Sequence, residues 1–291
     1  MNWCVVYPCA NSLGEGPHWD ARGQSLWWVD VVTSKLWRFT PSTDTVDSWD
    51  SPRHPACIAQ HSDQEIYVVG RNWLSKFDPS TAHWTPLDIA GLNFDVERFN
   101  DGRVDAKGRW WVGSMDKKLQ APIGGLYQLG PGGNWSRKSD GIELGNGIGW
   151  SPDSRWMYVT DTPAQTISRH AFDLDTGALG PREQWVTVPS GAGGPDGLAV
   201  DSQGCVWSAQ FDRACVNRYS PEGELIDTIA VPAPRPTSVT FGGPDLKTLF
   251  VTTAAMGLSE QQLSAYPNSG HLFSIQLDVS GLQEHPLRPV F

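Results

Sequence analysis

Residues 96–113 read VERFNDGRVDAKGRWWVG. Arg98, Asn100 and Asp101 crowd against Gly102, and a few residues later Trp110 and Trp111 open a run with the character of a buried strand. The same order, a polar turn and then a short apolar strand, returns along the chain. It appears as DARGQSLWWVD from 20, SDQEIYVVG from 62, DAKGRWWVG from 105, SPDSRWMYVT from 151, DSQGCVWSA from 201 and GPDLKTLFVT from 243. Successive copies lie roughly 40 to 50 residues apart, the spacing of propeller blades.

Each copy is followed by a second strand, KLWRF, WLSKFD, GGLYQL, TISRHAF, CVNRYS and HLFSIQ, several with the two-residue alternation of half-buried strands. Each is preceded by another, GPHWD, CIAQH, GRVD, GIGW, GLAVD and SVTF. A more irregular fourth strand fits TVDSWD, HWTPLD, NWSRKS, EQWVTV and LIDTIAV. Four strands repeated six times predict an all-β, six-bladed β-propeller formed by residues 1–291 as a single domain. CVVYP near the N-terminus is expected to complete the last blade, because closure removes an exposed sheet edge. The 15 tryptophans are expected to fill the space between blades, where large flat side chains bury most area. No long 3.6-residue periodicity suggests a helical fold.

Composition agrees: 30 Gly and 22 Pro beside many aromatics favour short strands and tight turns. A net charge of −10 disfavours nucleic acid and anionic membrane as partners and is compatible with a bound cation. No apolar run approaches the roughly 18 residues of a spanning helix, and MNWCVVYPCANS lacks the basic start of a secretion signal. The five cysteines, odd in number and without CxxC, read as buried free thiols of a reducing compartment, so a cytoplasmic protein is expected. Oligomeric state is left open.

First strands line the channel of a propeller, so residues just before them share one mouth. Those residues are Glu15, Asn100 with Asp101, Asn146 and Asp196; the other two blades offer Cys57 and Thr237–Ser238. Carboxylates sharing a mouth repel, and their pKa values rise unless a cation neutralises them. Oxygen-only donors favour Ca²⁺, Mg²⁺ or Mn²⁺; Zn²⁺ also accepts carboxylates but is less specified by them. His18 reads as a packing or surface residue, His54 and His61 as flanking the first strand of the second blade, with a place near the channel the lesser reading for His61, and His83, His170, His271 and His285 as belonging to outer strands.

Taken together and in order, LGEGPHWD, RFNDGRVDAKGRWWVGSMD, NGIGWSPDSRWMYVTDT, PDGLAVDSQGCVW and FGGPDLKTLFVTTA resemble the senescence marker protein / gluconolactonase family of sugar lactonases. The resemblance covers essentially the whole chain. It implies a six-bladed propeller, one divalent cation at the channel mouth, and hydrolysis of a small-molecule sugar lactone. By motif, Glu15, Asn146 and Asp196 correspond to metal ligands, and Arg98 and Asn100 to a substrate-contacting pair. Asp196 could in addition serve as general base. The chain departs from the family where some members have an acidic residue shortly after GTM: here GSMDKKLQAPIGG places Lys117 and Lys118. Lys118 is therefore a candidate substrate contact, suited to a lactone with an extra carboxylate such as an aldarolactone. No GxSxG nucleophile elbow is present. Two alternatives remain open: another metal-dependent esterase or phosphotriesterase on the same propeller, and a calcium-binding propeller without catalysis.

Overall fold

A computed structural model describes residues 2–191 and 193–288. Six four-stranded antiparallel sheets form the blades of a β-propeller. The innermost strands, in chain order, are Gly14–Asp20, Pro55–Ser62, Glu97–Val104, Gly145–Trp150, Gly194–Val200 and Pro236–Gly242. Five blades are continuous in sequence. The sixth takes its outer strand, Cys4–Tyr7, from the N-terminus, paired with Leu272–Gln276. The first and last strands thus meet in one sheet and the ring has no open seam.

Packing explains the ring. The buried apolar residues divide into six clusters, one at each boundary between neighbouring blades. Trp27, Ile58, Val68 and Phe77 fill the first boundary, Trp110 with Cys57 and Phe99 the second, Trp111 with Ile148 and Met157 the third. Trp19, Trp28 and Phe250 join the last blade to the first, with Trp19 and Phe250 stacked at 5.7 Å between ring centroids. Burying one side chain of this kind contributes roughly 1.5–3 kcal/mol, so each boundary holds several such contributions and the blades depend on one another.

Two aspartates show how polar turns lock to these aromatics. Asp105 accepts the backbone N–H groups of Lys107 and Arg109 and the indole N–H of Trp111 at 2.9 Å. Asp201 does the same for Gln203, Cys205 and Trp207. In these two blades the polar-then-apolar order of the sequence is one device: a carboxylate caps the turn and anchors an aromatic of the next strand.

Some details differ from the sequence reading. The connection after Thr248–Thr253 contains a six-residue α-helix, Glu260–Ala265, begun by a Ser259–Gln262 capping box. Six residues are too few to show helical periodicity. Of the cysteines, Cys57, Cys205 and Cys215 are buried, Cys9 is half-buried and Cys4 is exposed. Cys4 lies on the outermost strand, which has sheet on one side only. No helix among the described residues is long and apolar enough to cross a membrane.

After the last strand the chain doubles back across the ring. Gly281 N–H donates to Leu246 O, Leu282 N–H to Val200 O, Leu287 N–H to Gln60 O and Arg288 N–H to Gly108 O. These acceptors lie at or beyond the far ends of strands in four blades, so residues 281–288 cross the channel at the end where the inner strands finish.

Candidate functional site

The site lies at the opposite end, where the inner strands begin. Glu15, Asn100, Asp101, Asn146 and Asp196 do not precede these strands, as the sequence suggested, but lie inside them. Each sits at a break in pairing with the second strand of its blade: between Glu15 and His18, Phe99 and Gly102, Asn146 and Ile148, and Pro195 and Leu198. The remaining blades break at the same level, between Pro55 and Cys57 and between Pro236 and Ser238. All six inner strands are thus bulged at one height. A bulge leaves residues unpaired and re-aims their side chains, which turns these polar groups toward the channel mouth.

The neighbouring glycines permit the strands to approach there. A Cβ on Gly147 would lie 2.6 Å from Asp196 O and 2.7 Å from Leu198 N, and one on Gly197 would overlap the Ser238 side chain. The Asn146 strand therefore presses directly on the Asp196 strand.

Asn146 and Asp196 are each 5% exposed, so both polar groups are taken out of water. Asp196 Oδ1 is buried and has no protein partner. Burial, first of all, holds the Asp196 carboxyl well above its ordinary pKa, and the nearby Asp101 charge adds to the effect. Glu15 is raised in the same way, by burial and then by Asp196 and Asp101. Asp101 is raised by burial, against the pull of Arg103. Three carboxyl groups feel one another across one mouth, an arrangement that favours a positive charge among them.

Asn146 is held in a fixed sense. Its Nδ2 donates to Thr162 Oγ1 at 2.7 Å, and Thr162 donates in turn to Pro195 O at 2.7 Å. That leaves Asn146 Oδ1 facing the mouth, where Asn100 Nδ2 donates to it at 2.5 Å. Arg98 donates to Asn100 Oδ1 at 3.2 Å. Arg98, Asn100 and Asn146 therefore form one hydrogen-bonded row across two blades. Asp161, at the end of a second strand, accepts from Glu143 N–H and Leu144 N–H and sets the entry to the Asn146 strand. Asp30 holds Ser12 and Leu13 equivalently ahead of Glu15. Thr162, Asp30 and Asp161 escaped the sequence reading, although the shared endings WWVD and MYVTD mark the two aspartates.

Lys118 is exposed, and its backbone N–H donates to Asp116. Lys117 is also exposed and its ammonium donates to Phe94 O. Among the described residues no three His, Cys, Asp or Glu side chains form a ligand set, so any cation at this mouth draws on the Asn146 carboxamide as well as on the acids. The histidines stand elsewhere. His18 is buried in the channel facing Glu284. His61 contacts Leu287 O at 2.8 Å. His285 lies not in an outer strand but in the C-terminal crossing, beside a cavity of about 200 Å³ at the far end.

The fold is thus a six-bladed propeller whose mouth joins desolvated acids to a row of amides and an arginine. Residues 13–255 match the model of the SMP-30/Gluconolactonase/LRE-like region, and the chain belongs to that family. A 6-deoxy-6-sulfogluconolactonase of Pseudomonas putida is 35% identical over 282 residues, covering 97% of this chain and 96% of its own. Regucalcin of Danio rerio is 32% identical over 287 residues, covering 96% and 95%. Among solved structures, a calcium-binding regucalcin from Agrobacterium tumefaciens superposes with a TM-score of 0.92 at 28% identity, covering 98% of this chain and 97% of that one.

Proposed function

We propose that this protein hydrolyses a sugar lactone to the free sugar acid with the help of one divalent cation held by Glu15, Asn146 and Asp196. The observation that carries the reading is the buried, unpartnered Asp196 Oδ1 among mutually raised carboxyl groups. Such a group is costly unless something cationic meets it. Support comes from the relative named for a sulfogluconolactone and from a pentonolactonase of Haloferax volcanii, 33% identical over 280 residues and covering 94% of this chain and 93% of its own. The calcium-binding regucalcin neighbour supports the cation.

When bound, the cation supplies Lewis acidity toward the lactone carbonyl. The residues of the chain do the rest. Arg98 and Asn100 hold sugar hydroxyls, Arg98 with a planar fork of donors. Thr162 fixes Asn146 so that oxygen, not nitrogen, faces the mouth. Asp196 orients the attacking water and receives its proton. Water adds to the carbonyl carbon, the ring C–O bond breaks, and the proton passes to the departing ring oxygen. A lactone is an activated ester, so no serine nucleophile is required.

The test is a panel of sugar lactones, aryl esters and organophosphates, followed by proton release on metal-stripped protein with single divalent ions restored. Sugar lactones should be cleaved selectively and only with an ion present, and Asp196→Ala should lose roughly 1,000-fold in kcat with its circular dichroism unchanged. Equal cleavage of aryl esters, or full activity in Asp196→Ala, would refute the reading.

A further inference from the structure

Beside the Arg98–Asn100–Asn146 row stands a group of cations with no anion. Arg71 lies in the loop between Glu65–Gly70 and Leu74–Asp78, on the mouth side of the second blade. Its carbonyl accepts from Phe99 N–H at 3.2 Å, which places it against the backbone between Arg98 and Asn100. Its own N–H donates to His54 O, and the Trp73 indole donates to Arg53 O, so the loops bearing Arg53 and Arg71 are tied together. Among the described residues, none of Arg53, Arg71 and Arg98 forms an ion pair. Arg71 Nε is buried without a hydrogen-bond partner.

That is a costly way to place guanidinium groups. The chain has 32 acidic residues against 22 basic ones, and several of its other arginines meet carboxylates, as Arg38 meets Asp47 and Arg218 meets Asp201 at 2.6 Å. Burial, and then the like charge of Arg71, bring Arg98 down to about 10, and Arg71 is lowered by burial and by Arg53. Both stay charged at neutral pH. A buried donor without a partner costs free energy that a ligand can recover, and a guanidinium fork matches a planar or tetrahedral oxyanion better than a hydroxyl.

We infer that Arg71 and Arg98 form a subsite for an anionic substituent of the lactone, a carboxylate, sulfonate or phosphate on the carbon remote from the reacting carbonyl. The inference rests on the lactonase reading above and narrows it to charged sugar lactones. Arg98 is shared, reaching Asn100 with one nitrogen and dividing the rest of its fork between a sugar hydroxyl and the anion; Arg71 serves the anion alone. The lysines after Met115 are not needed for this role, since Lys117 is already engaged with Phe94 O.

The experiment compares kcat/KM for glucono-1,5-lactone with that for its 6-sulfo, 6-phospho and 6-carboxylate counterparts, in wild type, Arg71→Gln and Arg71→Lys. In parallel, calorimetry measures binding of 6-deoxy-6-sulfogluconate, the ring-opened acid, to each protein. Wild type should prefer at least one charged lactone by about 10-fold or more. In Arg71→Gln that preference should fall toward one, mainly through KM, with Arg71→Lys in between, and the acid should bind at least 10-fold more weakly. The order among the three anions identifies the group. No preference for charge in wild type, or a preference unchanged in folded Arg71→Gln, overturns the inference. Should no lactone be cleaved at all, the lactonase reading falls, and the isotherms alone decide: Arg71-dependent binding upholds the anion subsite and Arg71-independent binding overturns it.

Discussion

The two ends of the central channel are built on the same six strands and treat charge in opposite ways. At the mouth, burial raises all three carboxyls, Asp101 raises Glu15 and Asp196 further, Asp196 adds to Glu15, and Asp196 Oδ1 has no partner. At the far end, Glu284 reaches in from the C-terminal crossing and meets Arg103 at 3.5 Å, the Thr240 hydroxyl at 3.2 Å and His18 at 4.0 Å. Its side chain is 8% exposed and that of Arg103 17%, so burial is comparable to that at the mouth. What differs is completion. Charges that hold a structure together come with their counter-charges; charges kept for a ligand are left without them.

Breaking either end should therefore have opposite consequences. The largest effect is expected from Asp196→Asn. It should cost activity on the scale given above, yet raise the melting temperature of metal-stripped protein, because a repelling, desolvated carboxylate is removed. Titrating Ca²⁺ should raise the melting temperature of wild type and not that of the variant, as a differential scanning measurement can show. Next comes Glu284→Gln, which leaves Arg103 without its buried counter-charge. A loss of about 2 kcal/mol in denaturant unfolding is expected, with lactonase activity within about two-fold of wild type.

The smallest effects separate the ends by pH. The mouth carboxyls have raised folded pKa values. In metal-stripped protein their contribution to stability is complete below the unfolded carboxylate range near about 4 and is lost as pH rises through the folded values. His18 is lowered, chiefly by burial, against the opposing pulls of Glu284 and Asp20 and with a smaller lowering effect of Arg103. Its contribution is present above the unfolded value of 6.5 and is lost as pH falls through the folded value. Melting curves from pH 4 to 8 should thus flatten on the alkaline side in Asp196→Asn and on the acid side in His18→Gln. Identical pH profiles for the two variants would contradict the assignment of opposite signs.

The blades were readable from sequence because strand alternation, turn residues and aromatic runs are local signals repeated in register. Even the closing strand showed itself in CVVYP. Glu15, Asn146 and Asp196 stood out as a candidate set because the repeat places them at equivalent positions. Their placement was not. A bulge is one extra residue in a pairing, visible only once both partners are known, so Glu15 and Asp196 looked like turn residues rather than members of a strand. Thr162 and Arg71 were missed for a related reason: each lies on a loop without a distinctive motif and gains its meaning from a strand of the next blade. The C-terminal crossing has no strand alternation, and its direction is set by contacts with four blades rather than by any local pattern, so His285 carried no sign of it.

That crossing has a consequence for traffic. With residues 281–288 laid over one opening, the propeller is a well with a single doorway rather than a tube. On the proposed reading, a sugar acid made at the bulges would leave past the same arginines that met its parent, so the pace of turnover and the grip on the charged tail of the product would be tied to one threshold.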